Sequence, residues 1–320
     1  MWSVSSTFRT SSIIFLTNSC EVMPVIKTRN VIKGLLANEV MQRQVLQLPK
    51  SASMGKCINQ LIKFKLNGLL VLDSALCPVG VVSKTDLVGA FYGGLPVESL
   101  LGDIMNAPLL TCFLDDEVEV CLNLMRASGV HQLYVRGAEP CSIVGMLSYS
   151  DVVGLLYRYC RSCPKSTIRK AERSNHLSWA QPLTVKEIMT KSVISRSEED
   201  SLAEVIEELM THRMGAVLIR DAHGRACGVI SKTDIIVSYN HGTSLEVHAR
   251  SVMQTPVVSC DQQSSLTEAL RHMFLNDVQR LFIHDGDSGH IIGVLSLSDV
   301  AQVRSGSCRA CSVSQIIAAP

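Results

Sequence analysis

One seven-residue string recurs four times in this 320-residue chain, and it restricts the fold more than any other feature. The string consists of Gly, two residues that are aliphatic or Met, Ser, any residue, Ser or Thr, and Asp. At ordinary residue frequencies, about one chain in a hundred would contain a single match by chance. Four matches therefore indicate an internal repeat. The copies of this motif are Gly80-Val-Val-Ser-Lys-Thr-Asp86, Gly145-Met-Leu-Ser-Tyr-Ser-Asp151, Gly228-Val-Ile-Ser-Lys-Thr-Asp234 and Gly293-Val-Leu-Ser-Leu-Ser-Asp299.

A methionine precedes each motif at a nearly constant distance. These anchor methionines are Met41, Met105, Met189 and Met253, and the motif Gly follows after 39 or 40 residues. Successive anchors are 64, 84 and 64 residues apart, so extra residues lie between the second and third repeats. The chain is therefore predicted to contain two pairs of repeats joined by a linker.

Every repeat shows the same predicted order of elements. A short extended stretch follows the anchor methionine, and a helix comes next, opened in repeats 3 and 4 by the capping boxes Ser201-Leu-Ala-Glu204 and Ser265-Leu-Thr-Glu268. An apolar strand, a polar turn and a second strand lead into the motif, where a final helix begins. The predicted fold class is α/β, with four β-α-β-β-α repeats arranged as two pairs.

Composition and charge narrow the class of protein. Apolar residues make up 47% of the chain and the net charge is +1, so we expect no general affinity for nucleic acid or acidic membranes. No apolar run approaches the roughly 18–20 residues that span a bilayer. The twelve cysteines are scattered through apolar segments without an export signal, as Cys57, Cys121 and Cys227 illustrate. That pattern is typical of reduced, buried thiols and predicts a cytoplasmic location.

The chemistry of the motif indicates binding rather than catalysis. Ser-x-x-Asp at a strand-to-helix junction is a capping box, but capping requires neither the Gly at the strand end nor the second hydroxyl. Free N–H groups, two hydroxyls and the positive end of a helix dipole suit a phosphate, and the carboxylate suits a pair of ribose hydroxyls. The motif carries no general base, metal cluster or activated nucleophile, so the chain is predicted not to be an enzyme.

The repeat resembles the CBS domain, named after cystathionine β-synthase, over about residues 34–158 and 187–306. The resemblance implies two tandem pairs (Bateman modules), each with pseudo-twofold symmetry and two clefts for AMP, ADP, ATP or S-adenosylmethionine. It implies that the motif aspartates hold ribose hydroxyls, and these are Asp86, Asp151, Asp234 and Asp299. It also implies that the motif hydroxyls face phosphate, namely Ser83, Thr85, Ser148, Ser150, Ser231, Thr233, Ser296 and Ser298. The stretches after the anchors would line adenine, near Gln44-Val45, Ala107–Leu109, Ser192-Val193 and Thr255–Val257.

The copies differ in ways that predict unequal sites. Lys84 and Lys232 stand inside the motifs of repeats 1 and 3, where repeats 2 and 4 have Tyr149 and Leu297. The lysines are expected either to favour more highly phosphorylated ligands or to point to solvent. At the start of the middle strand, groups such as His131 and Arg280 could reach a phosphate or simply be solvated.

The segments outside the repeats complete the predicted organisation. Residues 1–33 form an N-terminal lead, partly disordered or upstream of a natural start at Met23, and residues 159–186 form a basic linker that is solvated or contacts nucleic acid. Residues 307–320 are a tail. Two Cys-x-x-Cys pairs flank the even repeats, Cys160 with Cys163 and Cys308 with Cys311, and would supply four thiolates if they meet. Zinc, an iron–sulfur cluster, a redox pair and no role all remain open for them.

These observations favour a regulatory protein that senses an adenine nucleotide or a related adenosyl ligand. Since no effector domain accompanies the repeats, we expect the output to pass to an unknown effector protein or enzyme, or to act through a homodimer. Two alternatives are a metal or redox sensor acting through the Cys-x-x-Cys pairs and an interaction scaffold with empty clefts.

Overall fold

The computed structural model of the chain describes residues 34–162 and 183–303, together with Ile32 and two short strands near the ends. The strands are β1 (Val25–Lys27), β2 (Gln47–Pro49), β3 (Gly68–Leu72), β4 (Pro78–Ser83), β5 (Thr111–Phe113), β6 (Gln132–Arg136), β7 (Ile143–Ser148), β8 (Ser195–Ser197), β9 (Ala216–Arg220), β10 (Ala226–Ser231), β11 (Ser259–Asp261), β12 (Arg280–His284), β13 (Ile291–Ser296) and β14 (Gln315–Ile317). The α-helices are α1 (Ala37–Val40), α2 (Met54–Lys63), α3 (Lys84–Tyr92), α4 (Leu101–Ile104), α5 (Val118–Ser128), α6 (Tyr149–Ser162), α7 (Leu202–Thr211), α8 (Lys232–Asn240), α9 (Leu266–Leu275) and α10 (Leu297–Val303). Two 3-10 turns, Val185–Glu187 and Ala249–Ser251, stand in repeats 3 and 4 where α1 and α4 stand in repeats 1 and 2.

Each repeat forms its own three-stranded mixed sheet. The strand after the anchor methionine lies parallel to the middle strand, and the middle strand pairs antiparallel with the strand that enters the motif. The four sheets are β2-β3-β4, β5-β6-β7, β10-β9-β8 and β11-β12-β13, and β1 pairs antiparallel with β14. The predicted α/β class and the four-fold repetition of β-α-β-β-α are therefore confirmed.

Capping residues set where the helices begin. The side-chain oxygens of Ser201 and Ser265 accept hydrogen bonds from the backbone N–H groups of Glu204 and Glu268, as the sequence predicts. The N-cap of α8 is the motif residue Ser231. A cap of this kind contributes about 1 kcal/mol to a helix, so these residues fix the helix starts.

Within each pair, the two sheets face each other across a small apolar layer. In the first pair this layer consists of Leu70, Tyr134 and Met146. In the second pair Leu218 and Phe282 occupy the equivalent places and Ile291 joins them. Burial of these residues makes the two sheets of a pair one unit.

Between the pairs, helices pack against helices in two larger cores. One core joins repeat 1 to repeat 3, and the other joins repeat 2 to repeat 4. At the centre of the first core, the rings of Phe91 and Tyr239 stack with their centroids 4.7 Å apart. These two residues hold equivalent positions in α3 and α8, so an approximate twofold relates the pairs as well as the repeats within them.

The packed parts of the chain reach a few residues into the predicted linker. Helix α6 continues to Ser162, and the side chains of Leu183 and Val185 are buried before repeat 3 begins at its predicted boundary. The predicted bounds of the two pairs, residues 34–158 and 187–306, remain predictions. None of the described helices is long and apolar enough to cross a membrane.

The cysteines depart in part from the prediction of reduced thiols. Cys57 and Cys121 are buried free thiols, and burial raises the pKa of Cys57 to about 12. Cys77 and Cys141, however, form a disulfide between the turns that precede β4 and β7. Their separation of 64 residues equals the spacing of the anchors within a pair. The pseudo-twofold axis therefore brings equivalent turns together, which spacing along the chain does not reveal.

Candidate functional site

Each motif glycine packs against one of the anchor methionines. A Cβ added to Gly293 would lie 2.7 Å from the sulfur of Met189, and one added to Gly80 would lie 2.6 Å from the carbonyl oxygen that follows Met105. The same close approach joins Gly145 to Met41 and Gly228 to Met253. Each motif is therefore held by the anchor segment of the other repeat in its pair, and glycine is required because a side chain would collide there.

The serine and aspartate of each motif form a closed hydrogen-bonded ring. One carboxylate oxygen of the aspartate accepts bonds from the backbone N–H and the hydroxyl of the serine. In repeat 4 these bonds join Asp299 to Ser296 at 2.8 and 2.6 Å, and the other three motifs repeat the arrangement. The capping role is thus present in all four motifs, and one oxygen of each carboxylate is committed to it.

The second carboxylate oxygen differs between the two pairs. In the first pair it accepts a hydrogen bond from a side-chain amide of the other repeat. Asn106 donates to Asp86 and Gln42 donates to Asp151, both over 2.6 Å. In the second pair, the described residues supply no hydrogen bond to the second oxygen of Asp234 or Asp299. These two carboxylates therefore keep an acceptor that a ribose could use without first displacing an amide.

The motifs of repeats 1 and 3 meet across the two pairs. The ammonium group of Lys84 donates to the hydroxyl of Thr233, and that of Lys232 donates to the hydroxyl of Thr85, each over 2.8 Å. The lysines therefore reach into the opposite motif instead of pointing to solvent. This reciprocal exchange places two cations between two helix N-termini.

The motifs of repeats 2 and 4 meet around a narrow cavity. Its walls include the hydroxyl pairs of both motifs, with Ser148 bonded to Ser150 over 2.8 Å and Ser296 bonded to Ser298 over 2.7 Å. The remaining lining residues are Asn67, His131, Tyr149, Gln279, Arg280 and Leu297. Three of the four repeats thus contribute polar groups to one space.

The cations around this centre are poorly compensated. Burial lowers the pKa of Arg280, with Asp299 opposing the shift, and burial lowers the pKa of Lys232 to about 8, assisted by the charge of Arg280. Burial likewise lowers the pKa of Lys84. Burial also lowers the pKa of His131, and the charges of Lys232 and Arg280 lower it further. A lowered pKa means that the charged form costs free energy, so the site would be stabilised by an anion.

A glycine makes room for the arginine. The guanidinium of Arg280 crosses to repeat 3, where one nitrogen donates to the carbonyl of Ala216 at 3.4 Å. Its other terminal nitrogen lies so close to Gly215 that a Cβ on this residue would collide with it. The conformation of Arg280 therefore depends on the absence of a side chain at residue 215.

The structure places the described site residues that the sequence predicted together with further residues that it did not predict. The twelve motif residues lie at helix N-termini as expected, and the stretches after the anchors contribute Val45, Leu109, Val193 and Val257 to the apolar layers. Asn67 and Gln279 were not predicted from the sequence as site residues, although each, like His131, is the residue immediately before the middle strand of its repeat. The side chain of Cys160 and all of Cys163, Cys308 and Cys311 lie outside the described residues.

Comparison with known proteins agrees with this architecture. A family model described as "CBS domain" matches residues 37–93, 101–158, 185–240 and 249–306. The chain is 28% identical over 123 residues to the uncharacterized protein MK0525 of Methanopyrus kandleri. The aligned region covers 38% of this chain and 62% of that protein. It is 21% identical over 203 residues to the human 5'-AMP-activated protein kinase subunit gamma-3, covering 61% of the chain and 40% of the subunit. The chain thus spans less than two thirds of either relative.

A solved structure covers both pairs. The crystal structure of MJ1225 from Methanocaldococcus jannaschii superposes with a TM-score of 0.69 at 16% identity, covering 84% of this chain and 99% of that one. At this identity the likeness shows the fold. It confirms the predicted resemblance to proteins built from four such repeats.

Proposed function

Since this chain belongs to the CBS domain family, we propose that it is a regulatory protein that binds AMP, ADP or ATP and passes the signal to a partner protein. The phosphates of the nucleotide occupy the cavity between the motifs of repeats 2 and 4, and the lysines exchanged between the motifs of repeats 1 and 3 supply further positive charge. The name of the AMP-activated kinase subunit among its relatives accords with an adenine nucleotide. In this proposal the partner is a separate polypeptide.

One observation carries the proposal, namely the cluster of under-compensated cations at the centre. Arg280, Lys84 and Lys232 each have a pKa lowered by burial, so each is held in its charged form at a cost in free energy. Serine and threonine hydroxyls and helix N-termini surround them. Phosphate groups match all three kinds of donor.

The rest of a nucleotide fits the neighbouring groups. The free carboxylate oxygens of Asp234 and Asp299 suit a pair of ribose hydroxyls, since a charged acceptor strengthens those bonds. The apolar layer between the sheets, where Val193 and Val257 border Leu218, suits the adenine ring. The second pair is therefore proposed to bind more readily than the first, whose carboxylates must first release Gln42 and Asn106.

The exchanged lysines favour ligands with more than one phosphate. Each ammonium group is already placed between two motifs, so it can follow a β- or γ-phosphate with little rearrangement. Replacing both, Lys84→Ala with Lys232→Ala, should weaken ATP binding more than AMP binding.

Calorimetric titration with adenosine, AMP, ADP and ATP tests the proposal. Arg280→Ala should weaken binding of the three nucleotides by about 10- to 150-fold, equivalent to about 1.5–3 kcal/mol for a lost charge-assisted hydrogen bond. It should change adenosine binding little. Gly215→Ala should reproduce the loss without removing the charge, because it displaces the guanidinium.

A matched control separates binding from misfolding. Arg225 is an exposed arginine in the turn between β9 and β10 of the same pair, so Arg225→Ala should leave nucleotide affinity unchanged. Arg280→Ala should not lower the unfolding temperature, since it removes a buried charge without a full counter-charge. Absence of heat and of thermal shift with every adenosine ligand would contradict the proposal and leave a scaffold with empty clefts.

A further inference from the structure

Repeat 2 contains a side-chain cluster that the nucleotide site does not use. Cys112 lies on β5, Asp116 lies in the turn after it, and Cys121 lies near the start of α5. One ligand atom from each of these residues lies within 4.8 Å of the other two. Both cysteines are free thiols, 3% and 0% exposed.

The carboxylate is held in place independently of the sulfurs. One oxygen of Asp116 accepts a hydrogen bond from the backbone N–H of Phe113 over 2.8 Å, which fixes the turn. Asp116 is also the member of the cluster with access to solvent. Acidic neighbours, Asp115, Glu117 and Glu119, give this entrance a negative charge that attracts cations.

The other repeats show what the same positions hold elsewhere. Repeat 1 has Leu48, Ala52 and Cys57 there, and repeat 4 has Cys260, Ser264 and Ala269. Repeat 3 has Arg196, Asp200 and Val205. Of the four repeats, repeat 2 therefore has two thiols and a carboxylate together.

Repeat 3 supplies an independent sign that this position accepts a cation. The guanidinium of Arg196 lies there, 3.8 Å from Asp200 and 2.7 Å from Glu208. Asp200 accepts a hydrogen bond from the backbone N–H of Ser197 over 3.0 Å, as Asp116 accepts one from the backbone N–H of Phe113. The fold thus places a positive group beside the same carboxylate in repeat 3, where the arginine provides it.

From this geometry we infer that Cys112, Asp116 and Cys121 form a zinc site. Two thiolates and one carboxylate are a ligand set that zinc accepts, and sulfur ligands disfavour magnesium and calcium. Binding replaces the thiol protons, which are released to solvent. A water on the Asp116 side completes the tetrahedron, so the site depends on neither the nucleotide nor the Cys-x-x-Cys pairs.

Cadmium is the probe for the test, because cadmium thiolates absorb in the near ultraviolet. The full chain is prepared anaerobically with Cys160, Cys163, Cys308 and Cys311 replaced by Ser, which removes the other candidate thiols. This protein should bind about one cadmium ion, with zinc competing for it. Cys112→Leu and Cys121→Val should each abolish the absorption band, and both substitutions introduce the residue that another repeat carries at that position.

The same substitutions at equivalent positions provide the controls. Cys260→Leu and Cys57→Val change single thiols of repeats 4 and 1 and should leave the band intact. Asp116→Asn keeps the shape of the side chain and should weaken cadmium binding at least about tenfold. A band that survives Cys121→Val would overturn the inference, as would a Cys112–Cys121 disulfide found by mass spectrometry in the anaerobic protein.

Discussion

At the scale of single residues, the residues that recur in all four repeats act in pairs. The sequence identifies both the anchor methionines and the motif glycines, and the structure shows that each glycine receives the methionine of the neighbouring repeat. Neither partner could be assigned from spacing, because the contact joins residues of different repeats. Lys232 is a similar case, since its hydrogen bond to Thr85 spans 147 residues and lies between the pairs.

Lys232 gives the proposed nucleotide site a pH dependence. Its pKa is lowered to about 8, so the free protein loses this charge as the pH rises through 8. A bound phosphate favours the protonated form, so nucleotide affinity should fall above pH 8, by up to about tenfold per pH unit for one proton. Calorimetry between pH 7 and 9.5 would measure the change.

The matched variant for this experiment is Lys232→Arg. An arginine keeps its charge throughout that range, so its nucleotide affinity should vary little with pH. Equal pH dependence in the wild type and in Lys232→Arg would assign the effect to another group.

At the scale of elements, the turns between the middle and last strands differ between the pairs. Cys77 and Cys141 link these turns covalently in the first pair. In the second pair, Arg225 contacts Asp287 at 3.1 Å across the same interface, and both side chains are more than half exposed. The same pseudo-twofold contact is therefore made by two different chemistries.

The disulfide should stabilise the first pair measurably. Closing a loop of this length is worth about 2–4 kcal/mol, so Cys141→Ser should lower the free energy of unfolding by that amount. A reducing agent should produce the same loss in the wild type. Urea unfolding under non-reducing conditions is the measurement.

Asp287→Asn supplies the comparison in the second pair. An exposed ion pair is screened by solvent, so this substitution should leave the free energy of unfolding almost unchanged. Equal destabilisation by Cys141→Ser and Asp287→Asn would show that the disulfide contributes no more than the ion pair.

Elements with strong local signals were predictable from the sequence. The capping boxes at Ser201 and Ser265 mark helix starts, and the apolar strand predicted after the helix is observed in repeat 3 as Ala216–Arg220. The disulfide was not predictable, because it depends on where the twofold axis lies. The same reason explains why the sequence placed each phosphate site within a pair, whereas the structure brings motifs of different pairs together.

At the scale of the whole molecule, the two pairs share their main cores. Helices of repeats 1 and 3 bury one set of apolar side chains between them, and helices of repeats 2 and 4 bury the other. A separated pair would expose one face of both cores to water. The apolar area then uncovered favours reassociation.

Separated halves test this arrangement. Residues 34–162 and 183–306, produced individually, should each self-associate, and mixing them should give a one-to-one complex. Analytical ultracentrifugation distinguishes these states, with the full chain as the reference. Two halves that stay monomeric and do not bind each other would indicate that the pairs are independent domains.

The central claim is that motifs of different pairs together bind the phosphates of an adenine nucleotide, beside Arg280. A crystal structure of the full chain grown with AMP tests it most directly. The account predicts the phosphate between Arg280 and the hydroxyls of Ser296 and Ser298, with the ribose on a motif carboxylate. A nucleotide bound with its phosphate away from Arg280, or no nucleotide at a saturating concentration, would contradict it.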